Sequence, residues 1–157
     1  MALITCTRRI QFCAGHRVLN HENKCAHMHG HNYVAFFEAG VEELDGIGRV
    51  IDFSVLKERL GGWVDEHWDH GFVYWDKDTQ VVAALDAMNE DRRFAMPYNP
   101  TAENMAQYLL RVVGPSVLHD TPVYLNSVRI WETENCYADA NLEHIGVTPG
   151  RNRDEGG

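Results

Sequence analysis

The sequence predicts a single α+β domain with a four-stranded antiparallel sheet and two main helices on one face. Two strand-like segments come first, two segments with helical spacing follow, and two more strand-like segments close the order. Strands grouped around paired helices are typical of the α+β class. At 157 residues, the chain is long enough to bury one hydrophobic core without disulfides.

The strands are predicted where β-branched and aromatic residues alternate with polar ones. The first two cover residues 3 to 15 and 31 to 42, with a polar loop from Val18 to Met28 between them. The closing pair covers Val123 to Trp131 and Tyr137 to Ile145. A sheet this small has exposed edges, so we expect it to assemble with neighbouring copies.

The two main helices are predicted from apolar residues spaced three and four positions apart. The first can be capped by Asp52 or Ser54 and should end near Gly71. The second follows the capping signature Pro100-Thr101-Ala102-Glu103-Asn104 and should end at Gly114-Pro115. These boundaries leave a long stretch between the two helices.

Residues 76 to 99 fit this order less well than the rest of the chain. Val81 to Met88 has the character of a short extra helix inside a charged stretch, so we interpret 76–99 as an insertion. It would lie within a single domain covering residues 1–148. Residues 149–157 are expected to form a mobile tail.

Composition narrows the class of function. The formal net charge of -9 argues against a nucleic-acid surface and against a basic membrane patch. The four cysteines show no CxxC pairing, and no run approaches the roughly 20 apolar residues of a membrane span. The N-terminal residues contain no long apolar core of a signal peptide. We therefore expect a cytoplasmic protein with reduced thiols that acts on a small molecule.

The most distinctive motif is Cys25-Ala26-His27-Met28-His29-Gly30-His31, which precedes an apolar, aromatic run. Alternate side chains of a strand share one face, so His29 and His31 would point the same way with Cβ atoms roughly 7 Å apart. Two imidazoles at that spacing can bind one ion. His27 would lie roughly 13 Å from His31, too far for all three to bind one tetrahedral zinc. A third ligand should come from elsewhere, and His16 is the best candidate.

Three histidines with an open fourth position are typical of a catalytic zinc, because structural sites are usually closed by four protein ligands. The alternative is that these histidines only satisfy hydrogen bonds within strands. A zinc cation and an imidazole near Cys25 would stabilise its thiolate as a base or nucleophile, whereas an inert buried thiol is the alternative. The other cysteines lack comparable neighbours in the sequence and are interpreted as structural: Cys6, Cys13 and Cys136.

Three further positions could carry chemistry. His70 could orient toward Asp69 and act as a general acid or base, although a histidine at a helix end also complements the helix dipole. Glu132 could accept paired N–H bonds from a guanidine-like heterocycle, or it could be a solvated acid in a turn. Glu103 is first a capping residue and second a ligand contact.

Taken together, these motifs resemble the 6-pyruvoyl-tetrahydropterin synthase family over nearly the whole chain. The residues that carry the resemblance are Cys25-x-x-x-His29-Gly30-His31, His16, Asp69-His70, Pro100-Thr101-Ala102-Glu103-Asn104 and Trp131-Glu132-Thr133. Three residues separate Cys25 from the His29-Gly30-His31 motif. This spacing resembles that of the bacterial branch of the family, the 6-carboxy-tetrahydropterin synthases of queuosine biosynthesis. The resemblance implies a T-fold, in which sheets of several subunits join into a barrel. It also implies a homo-oligomer, commonly a hexamer, with active sites between subunits.

The resemblance also implies a role for each matched residue. Cys25 would be the base, and Asp69 with His70 would be its catalytic partners, reaching it from another subunit. Glu132 would anchor the pterin. Further substrate contacts would be Thr101 and Glu103, and the ligands of Zn²⁺ would be His16, His29 and His31.

The implied reaction converts 7,8-dihydroneopterin triphosphate to 6-carboxy-5,6,7,8-tetrahydropterin with release of acetaldehyde and triphosphate. Two other reactions fit the same residues, namely those of a pyruvoyl-forming synthase and of a dihydroneopterin-triphosphate aldolase. A noncatalytic zinc- or pterin-binding module is an alternative of a different class. Zinc content with pterin binding but no turnover would support that last alternative.

Overall fold

Two long antiparallel strands form the centre of the protein. The computed structural model describes residues 3–142, so the predicted tail at 149–157 lies outside the described residues. Strands β1 (Ile4–His16) and β2 (His29–Val41) pair along their full lengths, from Ile4 opposite Val41 to His16 opposite His29. The loop between them contains a short 3-10 helix, Lys24–Ala26. The pairing ends beside the Cys25 motif.

The sheet has six strands in the order β4-β3-β1-β2-β5-β6. Strand β1 is parallel to β3, and β3 is parallel to β4, whereas β2, β5 and β6 continue the sheet with antiparallel pairing. The α+β class is confirmed, but the prediction of a four-stranded, purely antiparallel sheet is wrong. The four strands beyond the central pair are β3 (Gly71–Trp75), β4 (Arg93–Met96), β5 (Tyr124–Thr133) and β6 (Cys136–Asn141).

The two unexpected strands are short and depend on distant partners. Strands β3 and β4 have five and four residues, too few for a clear alternating pattern. Strand β3 reaches only the end of β1, from Ala14 opposite Gly71 to His16 opposite Val73, and its other edge pairs with β4. Their conformation is therefore decided by tertiary pairing and not by local sequence.

Each main helix contains a π-helical turn between two α-helical parts. The first is α1 (Phe53–Leu56), a π turn at Lys57–Gly61 and α2 (Gly62–His67), and Asp52 caps it by accepting from the Ser54 N–H. After α3 (Thr79–Ala87), the second comprises α4 (Ala102–Tyr108), a π turn at Leu109–Val113 and α5 (Gly114–Leu118). Thr101 caps α4 through its side chain.

The prediction that the second helix ends at Gly114-Pro115 is wrong. The Gly114 N–H bonds to the carbonyl of Leu109 across the π turn, and the chain continues helically to Leu118. Pro115 lies in the first turn of α5 directly after the π turn, so its missing N–H leaves a carbonyl of the preceding turn without its usual helical donor. The π turn thus accommodates a residue pair that normally terminates a helix.

The core lies between one face of the sheet and these helices. Helices α4 and α5 cover β5 and β6, while α1 and the first π turn cover β1. Within residues 3–142 no helix is both long and apolar enough to cross a membrane. Fully buried core side chains include Tyr33, Phe37 and Ile130 from the sheet, and Leu56, Leu60, Trp68, Met105 and Leu109 from the helical side.

Residues 76–99 are integrated into the domain by polar contacts. The Arg17 guanidinium donates two hydrogen bonds to the Asp78 carboxylate, with Nε 2.6 Å from Oδ2. Asp78 is 2% exposed and also caps α3 by accepting from the Val81 N–H. Near the other end of the segment, Asn99 exchanges two hydrogen bonds with the Leu19 backbone. That 76–99 is an insertion remains a prediction, because it concerns the relatives of the chain.

The Arg17 and Asp78 pair should contribute to stability at neutral pH. Burial raises the pKa of Asp78, but the hydrogen bonds from Arg17 and Val81 outweigh burial and hold this pKa below its usual value. We expect Asp78→Asn to lower the free energy of unfolding by at least about 2 kcal/mol, because Arg17 loses its charged partner in a buried setting. Urea denaturation at neutral pH measures this loss.

Asp139→Asn is the matched control for that experiment. Asp139 also accepts two hydrogen bonds from an arginine, Arg129, but this pair is exposed. Exposed pairs are screened by water, so the control should lose much less stability than Asp78→Asn. Equal losses of unfolding free energy in the two variants would show that burial does not strengthen the contribution of the Arg17 and Asp78 pair to stability.

Candidate active site

Three histidines converge because of the register between β1 and β2. His16 ends β1 directly opposite His29, and His31 lies two residues further along β2 on the same face. The ring centroids of His16 are 4.6 Å from His29 and 5.2 Å from His31, and those of His29 and His31 are 4.8 Å apart. The structure therefore brings together the three residues predicted as metal ligands.

Backbone carbonyls orient two of these rings. Nδ1 of His16 lies 2.7 Å from the Pro100 carbonyl, and Nδ1 of His29 lies 2.6 Å from the His27 carbonyl. A carbonyl oxygen can only accept, so each Nδ1 carries the proton and each neutral ring presents a lone pair at Nε2. These two Nε2 atoms are 3.1 Å apart. Two acceptors facing each other at that distance suit a shared cation between them.

Glu132 completes the cluster from strand β5. Its Oε1 lies 2.8 Å from Nε2 of His31 and 3.8 Å from Nε2 of His16. Nε2 of His31 is buried, and it is not aligned for a hydrogen bond despite this short distance. The ligand atoms of the three histidines and Glu132 all lie within 4.8 Å of one another. This donor set could hold a metal ion.

The histidines of this cluster favour the neutral form that a metal requires. Burial lowers the pKa of His16 to about 4, and the hydrogen bond to Pro100 offsets only part of that effect. Burial also lowers the pKa of His31, against the opposing charge of Glu132. Both rings are therefore neutral at pH 7, and their lone pairs are available without loss of a proton.

Tyr33 lies beneath the cluster and was missed by the sequence reasoning. Its ring centroid lies 5.9 Å from that of His16 and 5.5 Å from that of His31, and within residues 3–142 its buried hydroxyl has no hydrogen-bond partner. Burial raises the pKa of Tyr33, and the charges of Glu132 and Cys25 act in the same direction. The alternation along β2 could have revealed it, because Tyr33 follows His29 and His31 on one face.

Cys25 lies in the loop that leads into β2 and its histidine motif. It is half-buried in the 3-10 helix, and its carbonyl accepts a hydrogen bond from the Val18 N–H at 2.8 Å. The side chain of His27, which strand geometry excluded from the ligand set, is exposed.

Asp69 and His70 form a second cluster with Cys13. Nδ1 of His70 lies 2.8 Å from Oδ2 of Asp69, and Oδ1 of Asp69 accepts from the Cys13 N–H at 2.9 Å. The His70 N–H donates to the Cys13 carbonyl at 2.6 Å, and His70 has a positive φ of 58°. A histidine held in this unfavoured conformation by surrounding contacts is typical of functional sites.

Arg92 stabilises the turn that carries this pair. Its Nε donates to the Asp69 carbonyl at 2.8 Å, and its terminal nitrogen donates to the Asp65 carbonyl at 2.6 Å. Burial raises the pKa of Asp69, but hydrogen bonds from Cys13 and His70, with charges including that of Arg92, hold it below its usual value. Asp69 is therefore ionised at neutral pH.

Within one chain the two clusters lie on opposite faces of the sheet. Successive side chains of a strand alternate, so Cys13 points away from the face that His16 occupies. His70 shares the Cys13 cluster, and its side chain is 75% exposed. The structure thus joins Asp69 to His70 as predicted, but it does not bring this pair to the metal ligands of the same chain.

The two predicted substrate contacts of α4 lie in different surroundings. The Thr101 hydroxyl accepts from the Asn104 N–H at 3.1 Å, next to the carbonyl of Pro100 that orients His16. Glu103 is exposed and lines a separate small cavity with Asn104. Glu103 is not part of either cluster, and its role as a substrate contact remains a prediction.

Comparison with known proteins decides the family. The model of the family described as "6-pyruvoyl tetrahydropterin synthase" matches residues 5–143. The chain belongs to this family. Within it, the chain is 34% identical to the 6-carboxy-5,6,7,8-tetrahydropterin synthase of Rickettsia bellii over 137 residues, which cover 87% of this chain and 99% of the relative. It is 30% identical to the enzyme of the same name from Helicobacter pylori strain J99, covering 88% and 72%.

Solved structures of the 6-pyruvoyl tetrahydropterin synthase family share the fold. The Caenorhabditis elegans 6-pyruvoyl tetrahydropterin synthase superposes with a TM-score of 0.63 at 25% identity, covering 91% of this chain and 98% of the other. An uncharacterized protein from Wolinella succinogenes superposes with a TM-score of 0.77 at 21% identity, covering 91% and 100%. These superpositions confirm the predicted T-fold of the single chain. Its sheet has six strands with both parallel and antiparallel pairs.

The low pKa of His16 makes the stability of the metal-free protein depend on pH. The unfolded chain binds a proton at His16 below about pH 6.5, whereas the folded protein does so only below about pH 4. Between these values the unfolded state binds more protons, so stability falls as pH falls. We expect His16 to account for a loss of about 2 kcal/mol between about pH 7 and about pH 5, measured by urea denaturation.

A His16→Gln variant should lose most of that pH dependence. His119→Gln is the control, because His119 is exposed and contacts only the Ser116 carbonyl of its own helix end. The control should retain the slope of the unmodified protein. An unchanged slope in His16→Gln would contradict the assignment of a neutral, buried His16.

Proposed function

We propose that the chain is a zinc-dependent lyase that converts 7,8-dihydroneopterin triphosphate to 6-carboxy-5,6,7,8-tetrahydropterin, releasing acetaldehyde and triphosphate. The observation that carries the proposal is the convergence of His16, His29 and His31 beside Glu132 and near Cys25. Membership of the family and the names of its nearly full-length relatives support a carbon-carbon lyase. The product would enter queuosine or 7-deazapurine biosynthesis in the cytoplasm.

The donor set supports zinc as the metal. Three imidazoles with an open fourth position match the composition of catalytic zinc sites, and among the described residues the buried Nε2 of His31 has no hydrogen-bond partner. Zinc supplies Lewis-acid polarisation of the side-chain oxygens of the substrate when bound. Glu132 lies within reach of the same position, so it can either close the site or turn toward the substrate.

We assign the pterin ring to Glu132. A carboxylate accepts two parallel N–H bonds from the amino-pyrimidine edge of a pterin, which has guanidine-like geometry. Because Oε1 of Glu132 is 2.8 Å from His31, this anchor would hold the side chain of the substrate over the three histidines. The N–H groups of the pterin ring would then face Glu132, and the oxygens of the substrate side chain would face the three histidines.

Cys25 and His70 would move the protons. The Cys25 thiolate takes a proton from the side chain of the substrate, and His70 exchanges protons with the opposite side of the reacting group. Ionised Asp69 bonds to Nδ1 of His70, which fixes the ring orientation and leaves Nε2 for proton transfer. Triphosphate then leaves with its bridging oxygen, one water adds to the carbon next to the ring and supplies the second oxygen of the carboxylate, and cleavage of the carbon-carbon bond releases acetaldehyde.

We propose that each active site is assembled from two copies of the chain. The Asp69 and His70 pair lies with Cys13 on the face of β1 opposite His16, and His70 is largely exposed. A neighbouring copy can bring its own histidine cluster and Cys25 to this exposed pair. The resulting homo-oligomer, a hexamer by resemblance, would close the barrel that the T-fold forms.

Product analysis tests the proposed reaction. Zinc-loaded protein should consume 7,8-dihydroneopterin triphosphate and yield 6-carboxytetrahydropterin, with acetaldehyde detected by mass spectrometry. Cys25→Ala should reduce turnover by at least about 100-fold while retaining zinc, because it removes a proton-transfer group. Full turnover by Cys25→Ala would refute the assignment of the base. A pyruvoyl or hydroxymethyl pterin product would identify one of the related reactions, and binding without turnover would indicate a noncatalytic module.

Mixing inactive variants tests assembly from two copies. Cys25→Ala and His70→Ala should each be inactive alone, but jointly refolded oligomers should regain activity. A site that takes Cys25 from the His70→Ala chain and His70 from the Cys25→Ala chain has every group intact. Random mixing predicts recovery of about a quarter of the sites in a symmetric oligomer.

A second mixture is the matched control. Cys25→Ala and Glu132→Ala both damage the half of the site that contains the three histidines, so every mixed site retains a defect. We expect no recovery above the separate variants. Recovery in the control, or none in the test mixture, would contradict the division of the site between copies.

A further inference from the structure

A second group of potential metal ligands lies outside the histidine cluster. The Cys13 thiol, the Asp69 carboxylate and the His70 imidazole each offer an atom within 4.8 Å of the others. Cys13 and His70 also line an open cavity of about 380 Å³, whose other lining residues include Gly15, Gly30, His31 and Asn32. The cavity gives a dissolved ion access to the thiol and the imidazole.

We propose that Cys13, Asp69 and His70 bind a second transition-metal ion of the zinc class. Thiolate, imidazole and carboxylate are the three ligand types that zinc takes in proteins, and thiolate selects against magnesium and calcium. Three protein ligands would leave a fourth position for water. This ion is separate from the one assigned to the three histidines, because Cys13 lies on the opposite face of β1 from His16.

Hydrogen bonds hold the Asp69 carboxylate and the backbones of Cys13 and His70 together before any ion binds. The Cys13 N–H donates to Asp69 at 2.9 Å, and the Cys13 carbonyl accepts from the His70 N–H at 2.6 Å. These bonds join the thiol-bearing strand to the turn that follows α2. The charges and hydrogen bonds around Asp69 also keep its carboxylate ionised, so a negative ligand is available at neutral pH.

The third ligand can adjust. Ligand atoms around a tetrahedral zinc are about 3.5 Å apart. The three ligand atoms of this group already lie within 4.8 Å of one another, so small movements can bring them to that spacing. The His70 side chain is 75% exposed, so its ring can move without displacing packed neighbours. In a single copy, closure of the group on an ion would therefore involve rotation of the exposed His70 ring.

Occupation of this group would inhibit the enzyme. An ion bound to His70 occupies the imidazole that moves protons and competes for the Asp69 carboxylate that orients it. Excess zinc should therefore slow turnover while the ion at the three histidines is retained. This consequence rests on the proposed function, whereas binding of the second ion does not.

Cobalt titration tests the binding. All proteins are prepared in a Cys25→Ser background, so that a thiolate-to-cobalt absorption band cannot come from Cys25. The metal-free protein should bind two Co²⁺ per chain, and the second should produce this band. Adding Cys13→Ser should abolish the absorption band and lower the affinity for the second Co²⁺ by at least about tenfold, because the thiolate ligand is lost. Binding of the first ion should persist and reports that the variant is folded.

Cys6→Ser is the matched control, since Cys6 lies on the same strand but belongs to neither ligand group. It should retain both ions and the band. A single ion in the starting protein, or a second ion and band that survive Cys13→Ser, would overturn the proposal.

Inhibition is measured separately with Cys25 intact. Excess zinc should inhibit the unmodified protein and Cys6→Ser at least about tenfold more strongly than Cys13→Ser. If His70→Ala retains full turnover, the proposed function fails while the cobalt result still decides the second site. If cobalt binds as expected but excess zinc inhibits all three proteins equally, the inhibitory consequence is refuted.

Discussion

The pairing of β1 with β2 is the constraint on which the site depends. His16 stands opposite His29, and two residues further His31 points to the same face. A shift of one residue in this register would turn one strand's side chains to the other face and separate His16 from its partners. The pairing extends over 13 residues of each strand, and this length holds the register far beyond the site itself.

The same alternation that gathers the histidines separates them from Asp69 and His70. The histidine face continues into the buried core through Tyr33, whereas the opposite face bears Cys13 and the exposed His70 ring. A single sheet cannot bring both groups to one substrate. Under the proposed function, association of copies would solve this problem, because each copy would supply the face that the other lacks.

Residues 76–99 and the proline that follows them hold parts of both residue clusters in position. Asp78 pairs with Arg17, which directly follows His16 in the chain. Arg92 donates hydrogen bonds to the carbonyls of Asp65 and Asp69, one before and one after the end of α2. Pro100, which directly follows the segment, fixes the His16 ring through its carbonyl. The segment therefore supports both clusters, although none of its own side chains belongs to either group of potential ligands.

The sequence by itself determined the α+β class, the two capped helices, and the local motifs that contain the three histidines, Cys25 and the Asp69 and His70 pair. These features follow from periodicity, capping and spacing within short stretches of chain. Only the tertiary structure decided the parallel strands β3 and β4, the position of Glu132 beside His31, and the grouping of Cys13 with Asp69 and His70. Each of these depends on contacts between residues far apart in the chain, which local patterns do not encode.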